Sequence, residues 1–163
     1  MSTLVVQAHP LEDSYNGVLL ASVCRGLDST GQAYTVRRLG EGQHPTIEDV
    51  ASADKLAVVY PTWWSGPPAM LLDWLQQMLA ARAFGAIAEL RVVTTHGSSW
   101  LMNRTQGEWG RRFMAERMAA ACGPGTQLEW HALYKIDRRT PDEIQAFLDE
   151  TEGLFAASPL TAV

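Results

Sequence analysis

Three stretches of the chain gather hydroxyls, amides, imidazoles and indoles at spacings that suit ligand binding. The first is Ala8-His9-Pro10-Leu11-Glu12-Asp13-Ser14-Tyr15-Asn16, which follows the apolar run Leu4-Val5-Val6 and opens into the helical pattern Gly17-Val18-Leu19-Leu20-Ala21. The first turn of a helix has main-chain N–H groups without intrahelical partners, at the positive end of the helix dipole, so it favours an anion. Asp13 or Ser14 can cap this helix, and the Ser14 hydroxyl, the Asn16 amide and main-chain N–H groups can hold a phosphate. Glu12 and Asp13 are compatible with an anion only if they point outward.

The second stretch, Pro61-Thr62-Trp63-Trp64-Ser65-Gly66-Pro67-Pro68, places two indoles after a buried apolar run and before a helical pattern bearing Leu71, Trp74, Leu75 and Met78. Stiffened by prolines, it can present main-chain amides to the edge of a planar heterocycle and an indole to its face. The third, Thr94-Thr95-His96-Gly97-Ser98-Ser99-Trp100, supplies hydroxyls, an imidazole and a glycine that permits close backbone approach. It can form the far wall of the same pocket.

Each stretch also has a plainer explanation. The first is compatible with an ordinary helix cap in which backbone hydrogen bonds satisfy His9, the indoles with core or interface packing, and His96 with a solvated or backbone-bonded imidazole. Other chemistries find no support: the chain has no GxGxxG, GxxxxGK[ST], GxSxG or HExxH motif, no calcium loop and no Cys/His cluster, so no metal site is expected. Cys24 and Cys122 lack CxxC spacing and read as buried packing thiols.

Convergence of the three stretches depends on the elements that carry them. Strand patterns cover residues 3–7, 33–38, 55–60, 90–95 and 127–133, with helical patterns between most of them, which predicts an α/β fold with a parallel sheet. A parallel sheet delivers all three loops to one edge, the edge where open α/β sheets bind ligands. Leu56-Ala57-Val58-Val59-Tyr60 is apolar throughout, as a central strand covered on both faces should be, whereas Tyr34-Thr35-Val36-Arg37-Arg38 suits an edge. Thr140-Pro141-Asp142-Glu143 is a capping box with proline at the first helical position, starting a helix over 141–155, and Gly123-Pro124-Gly125 ends the helix before the fifth strand.

At 163 residues and 47% hydrophobic content, one domain over 1–163 accounts for the chain. A net charge of −5 with no basic stripe offers no docking face to nucleic acid or to an anionic membrane, which leaves small molecules as the expected partners. No apolar run reaches the roughly 18 residues of a membrane span, and no signal-peptide pattern opens the chain, so a soluble cytoplasmic protein is expected.

With the loops in place, the sequence resembles the flavodoxin-like NAD(P)H:quinone oxidoreductases, which include mammalian quinone reductases and ancillary flavoproteins of bacterial potassium-efflux systems. The resemblance rests on AHPxxxSxN at residues 8–16, YPxWWxGPPAxLxxW at 60–74 and TTxGS at 94–98, and runs in order over most of the chain. It implies a flavodoxin-like three-layer sandwich with strand order 2-1-3-4-5, FMN (or FAD) as cofactor, NAD(P)H as co-substrate, a quinone-like acceptor and a homodimer. His9, Ser14, Tyr15 and Asn16 would hold the phosphate and ribityl side of the flavin. Pro61, Thr62, Trp63, Trp64 and Ser65 would line its ring, and Thr95, His96 and Gly97, with Thr94 behind, would complete the ring site.

Two departures from the resemblance stand out. The segment between Trp74 and Thr94 is shorter than in many relatives, so the pocket is either more open or closed by another segment. His96 stands where relatives often have a second glycine, and its imidazole would then touch the flavin edge and stabilise negative charge there. The resemblance also admits a non-catalytic reading, an ancillary or regulatory subunit with a sensing or vestigial flavin site.

Overall fold

In the computed structural model, which describes residues 2–157, five strands form one parallel sheet. Residue 1 and residues 158–163 of the domain expected over 1–163 lie outside the described residues. The strands are β1 (Ser2–Gln7), β2 (Ala33–Arg38), β3 (Lys55–Thr62), β4 (Glu89–His96) and β5 (Gln127–Tyr134), in the order β2-β1-β3-β4-β5. This is the order expected. Helices α1 (Tyr15–Ser29) and α7 (Pro141–Ala156) cover one face, and α3 (Ala69–Ala80) lies on the other.

Alternation along the strands divides the core. Leu4, Val6, Val58, Tyr60, Leu90 and Val92 pack with Leu71, Trp74 and Leu75 of α3. Val5, Ala57, Val59 and Val93 point the other way, against Leu19 and Val23 of α1 and Phe147 and Phe155 of α7. Both faces of β3 and β4 are therefore buried, and β2 and β5 are the edges. The Trp74 indole N–H donates to the buried Pro45 carbonyl at 3.0 Å, and its ring meets Phe84 edge-on. That bond satisfies the one polar atom of a large core side chain.

Strands β3 and β4 each run beyond the predicted ends, to Thr62 and His96, because these two central strands pair in register as far as Thr62 and His96. The short helix α2 (Ile47–Ala51) starts from a capping box at Thr46 and Asp49, and α4 (Trp100–Thr105) follows β4. Next, α5 (Trp109–Phe113) continues through a π-helical turn (Met114–Met118) into α6 (Ala119–Ala121), which ends just before Gly123. The capping box of α7 forms as predicted, with Pro141 at its first turn. Both cysteines are free but, contrary to expectation, only partly buried, Cys24 beside the edge-strand residue Tyr34 and Cys122 at a helix end. Partial burial still raises both thiol pKa values, that of Cys122 to about 11.

Candidate functional site

Register alone brings the loops together. Gln7 pairs with Val59, Thr62 with His96, and His96 with Tyr134, so the chain leaves β1, β3, β4 and β5 side by side at one sheet edge. The Ala8 N–H donates to the Val59 carbonyl at 2.9 Å, which extends the β1–β3 ladder into the first loop. His9 then meets Trp63 across the gap, with ring centroids 5.9 Å apart.

After β3 the chain makes a tight turn in which Trp63 and Gly66 exchange two backbone hydrogen bonds of 3.0 Å. Trp64 and Ser65 at its centre both have left-handed backbone, φ 52° and 67°. A two-residue hairpin requires that conformation, and glycine or asparagine usually supplies it. Here contacts from α4 and α5 hold it in place. The Ser65 hydroxyl donates to Gln106 Oε1 at 2.6 Å, and the Gly110 N–H donates to the Ser65 carbonyl at 3.1 Å. Trp109 lies so close to Gly66 that a Cβ there would fall 2.1 Å from its ring. Pinned in this way, the turn holds Trp64 fully in solvent and leaves Trp63 42% exposed, so neither indole plugs the core.

The end of β4 is a buried polar network. The Thr62 hydroxyl lies 2.8 Å from the Thr94 hydroxyl and 3.4 Å from His96 Nε2. His96 Nδ1 lies 3.0 Å from Asn103 Oδ1, and Asn103 donates to the Ser98 hydroxyl and the Ser99 carbonyl. Burial pulls the His96 pKa down to about 4, the bond to Asn103 opposing it, so the ring is neutral near pH 7.

In the first loop, Ser14 rather than Asp13 caps α1, accepting from the Gly17 N–H at 3.2 Å. Glu12 points outward, 72% exposed, with its carboxylate 3.3 Å from Arg38. The loop reaches the end of β2 because residue 40 is glycine: a Cβ there would fall 1.8 Å from the His9 carbonyl oxygen. Tyr15 Oη and Asn16 Oδ1 are buried without hydrogen-bond partners.

A cavity of about 490 Å³ opens at this edge, within the roughly 300–1,000 Å³ typical of ligand pockets. Pro61, Thr62, Trp63, Trp64, Ser65, Thr95 and Gly97, all singled out in the sequence, line it. His9, Ser14, Tyr15 and Asn16 lie along the same edge without lining it. Thr94 and His96 do not line it either, and for His96 this corrects the expected edge contact. Side chains of a strand alternate, so Thr95 turns to the cavity while Thr94 and His96 turn into the protein, where Thr62, Asn103 and Tyr134 hold them. Ser98, Gln106, Ile136 and Asp137 complete the lining, and the last three were not foreseen. The signal for Ile136 and Asp137 was available: they follow β5 at the same edge. Asp137 comes close to the loop backbone, since a Cβ on Gly97 would lie 3.1 Å from its Oδ2.

Residues 1–152 match the Flavodoxin_2 family model, described as a flavodoxin-like fold. The chain belongs to this flavodoxin-like family. No curated protein matches it. Among solved structures, it is similar to Smu.1420 from Streptococcus mutans UA159, at 19% identity, TM-score 0.81, and coverage of 96% of this chain and 99% of that one. It is also similar to an NAD(P)H:quinone oxidoreductase from Methanothermobacter marburgensis (18%, TM-score 0.81, coverage 96% and 94%). A third is an FMN-dependent NADH-azoreductase from Bacillus anthracis str. Ames Ancestor, solved with FMN (16%, TM-score 0.71, coverage 96% and 98%).

The residues of this flavodoxin-like site fit a flavin by their own chemistry. Asn16 Oδ1 is a buried acceptor without a donor, which suits a sugar hydroxyl, and Tyr15 Oη is a buried hydroxyl free to donate. The outward Glu12 leaves the α1 N-terminus open to an anion. Among the described residues, no group of three or more His, Cys, Asp and Glu side chains could hold a metal ion, and no helix is long and apolar enough to cross a membrane.

Proposed function

We propose that this chain is a cytoplasmic, flavin-dependent NAD(P)H oxidoreductase of one flavodoxin-like domain, and that it reduces a quinone-like or other small acceptor. FMN is the favoured cofactor, because a structural relative is solved with FMN. A bound flavin supplies the redox chemistry, accepting hydride from NAD(P)H and giving up electrons to the acceptor. No side chain need act as a nucleophile.

The chain's own residues bind and orient. Ser14, Tyr15, Asn16 and the first N–H groups of α1 would hold the phosphate and ribityl chain, with His9 bracing Trp63. Pro61, Thr62, Trp63, Trp64 and Ser65 would face the ring from one side, and Thr95 and Gly97 from the other. Thr94 and His96 act one layer back. Their contacts fix the Thr62 hydroxyl, and a neutral His96 avoids burying a cation beside it.

The observation that carries this reading is the cavity formed where the β3 and β4 loops meet, with the capped α1 N-terminus on the same edge. The visible spectrum of the purified protein tests it, followed by FMN and FAD titration and by NADH and NADPH oxidation with quinone and azo acceptors. Failure to bind either flavin overturns the proposal. Flavin binding without turnover on any acceptor favours the non-catalytic, ancillary reading.

Trp63, Met102 and Trp109 expose apolar surface on the turn, α4 and α5. A second copy of the chain would cover it, so a homodimer is part of the proposal. Sedimentation equilibrium checks that directly.

A further inference from the structure

A second cavity, of about 400 Å³, lies on the other side of the two segments that wall the first. Ser98, Ile136 and Asp137 face the first cavity, whereas their chain neighbours Ser99, Lys135 and Arg138 line the second, together with Trp100, Arg139 and Glu143. The two segments are tied to each other, because the Lys135 N–H donates to the Ser98 carbonyl at 3.0 Å.

The charge of this second cavity opposes that of the protein. The chain carries a net −5, yet Lys135, Arg138 and Arg139 gather here against the single carboxylate of Glu143. That carboxylate is fully engaged: Oε2 accepts from the Thr140 N–H at 2.9 Å and Oε1 from Arg139 Nη1 at 2.8 Å. Arg139 Nε in turn donates to the Tyr134 carbonyl at 2.9 Å, so Arg139 and Glu143 neutralise each other and stiffen the wall. Lys135 and Arg138 have no ion pair and no side-chain hydrogen bond among the described residues. Two exposed cations that line one cavity without an ion pair favour an anion. Beside them, Trp100 has the Arg104 guanidinium over its ring, 5.1 Å from the centroid, and remains 47% exposed, which leaves surface for a second planar group.

We infer that the second cavity binds the adenosine phosphate end of a nucleotide, with Lys135 and Arg138 pairing the phosphate and Trp100 stacking the base. The inference rests on the proposed function, since the second cavity shares its wall with the first. The phosphate could be the 2′-phosphate of NADPH or the diphosphate common to NADH and NADPH.

Calorimetric titration of the flavin-loaded protein with 2′,5′-ADP, 5′-ADP and adenosine tests this site. Both phosphorylated nucleotides are expected to bind at least tenfold more tightly than adenosine. Lys135→Gln/Arg138→Gln should weaken them tenfold or more and leave flavin affinity unchanged, and Trp100→Leu should weaken all three ligands. Tighter binding of 2′,5′-ADP than of 5′-ADP assigns the site to the 2′-phosphate and predicts a preference for NADPH, tighter binding of 5′-ADP assigns it to the diphosphate, and equal binding assigns it to the 5′-phosphate that both carry. Absence of binding by both phosphorylated nucleotides, or binding that the double substitution leaves intact, overturns the inference. If the protein takes up no flavin, the same titration on the protein as purified keeps the two ideas apart. Nucleotide binding lost in the double variant then upholds this site while the oxidoreductase reading falls. Conversely, flavin-dependent turnover with an unchanged KM for NAD(P)H in the double variant overturns this site alone.

Discussion

The imidazole of His96 lies flat on the ring of Tyr134, centroids 4.5 Å apart and planes 17° from parallel. The two are register partners at the ends of β4 and β5, so the stack is built by the sheet itself. Together with Asn103 it holds the histidine behind the cavity, where burial keeps the ring neutral against the opposing pull of the Asn103 bond.

That burial makes folding sensitive to acid. His96 titrates at about 4 in the folded protein against 6.5 for the free side chain. Between those values the unfolded chain holds the additional proton, so stability should fall as pH drops from about 6.5 to about 4, by on the order of 2 kcal/mol from this group. His131, whose pKa burial also lowers, adds a contribution of the same sign. Urea denaturation at several pH values should show a shallower pH dependence in His96→Gln than in the wild type. Equal slopes would mean that the imidazole is solvated.

Gly40→Ala should damage both fold and site. Its Cβ would overlap the His9 carbonyl, a backbone atom, so the first loop must shift. Overpacking of this kind costs roughly 1–3 kcal/mol. FMN affinity should drop alongside the denaturation midpoint, and an unchanged affinity would show that the position of the first loop is unimportant for cofactor binding.

Trp64→Asn should separate stability from binding. The indole is fully exposed, and its left-handed backbone costs a tryptophan roughly 1–2 kcal/mol that asparagine largely avoids. A monomeric protein should therefore gain about 1 kcal/mol while losing FMN affinity. A lower melting temperature would instead indicate that the indole is packed in solution, as a homodimer contact.

Arg91→Leu should do the reverse, harming stability alone. Arg91 is 6% exposed at the start of β4, paired with Glu89 and with Glu129 at 3.4 Å, and its guanidinium lies 5.2 Å from the Phe155 ring centroid. Removing it leaves two carboxylates with Lys55, 3.3 Å from Glu89, as their remaining nearby cation, a loss of roughly 3–5 kcal/mol for a buried pair. The cavity lies at the opposite end of the strands, so FMN affinity measured below the unfolding transition should be unaffected.

Much of this architecture was legible from local pattern. A short, wholly apolar run such as residues 56–60 reads as a strand covered on both faces, and the capping box at Thr140 and Glu143, ahead of an apolar pattern at helical spacing, marks a helix start. Polar loops after the first, third and fourth strands of a parallel sheet must share one edge, so Ser14, Thr62, Thr95 and Gly97 could be brought near one another without coordinates.

The sequence by itself determined which loops meet, because strand periodicity and the parallel sheet depend on neighbours along the chain. Only the tertiary structure decided where their side chains point. Trp64 faces solvent because Gln106 and Trp109, more than forty residues away, pin the turn. His96 is drawn inward by Asn103 and Tyr134, and Asp137 reaches the cavity because β5 ends beside β4. In each case the orientation is set by contacts between segments distant in sequence, and a chain's local pattern carries no record of those contacts.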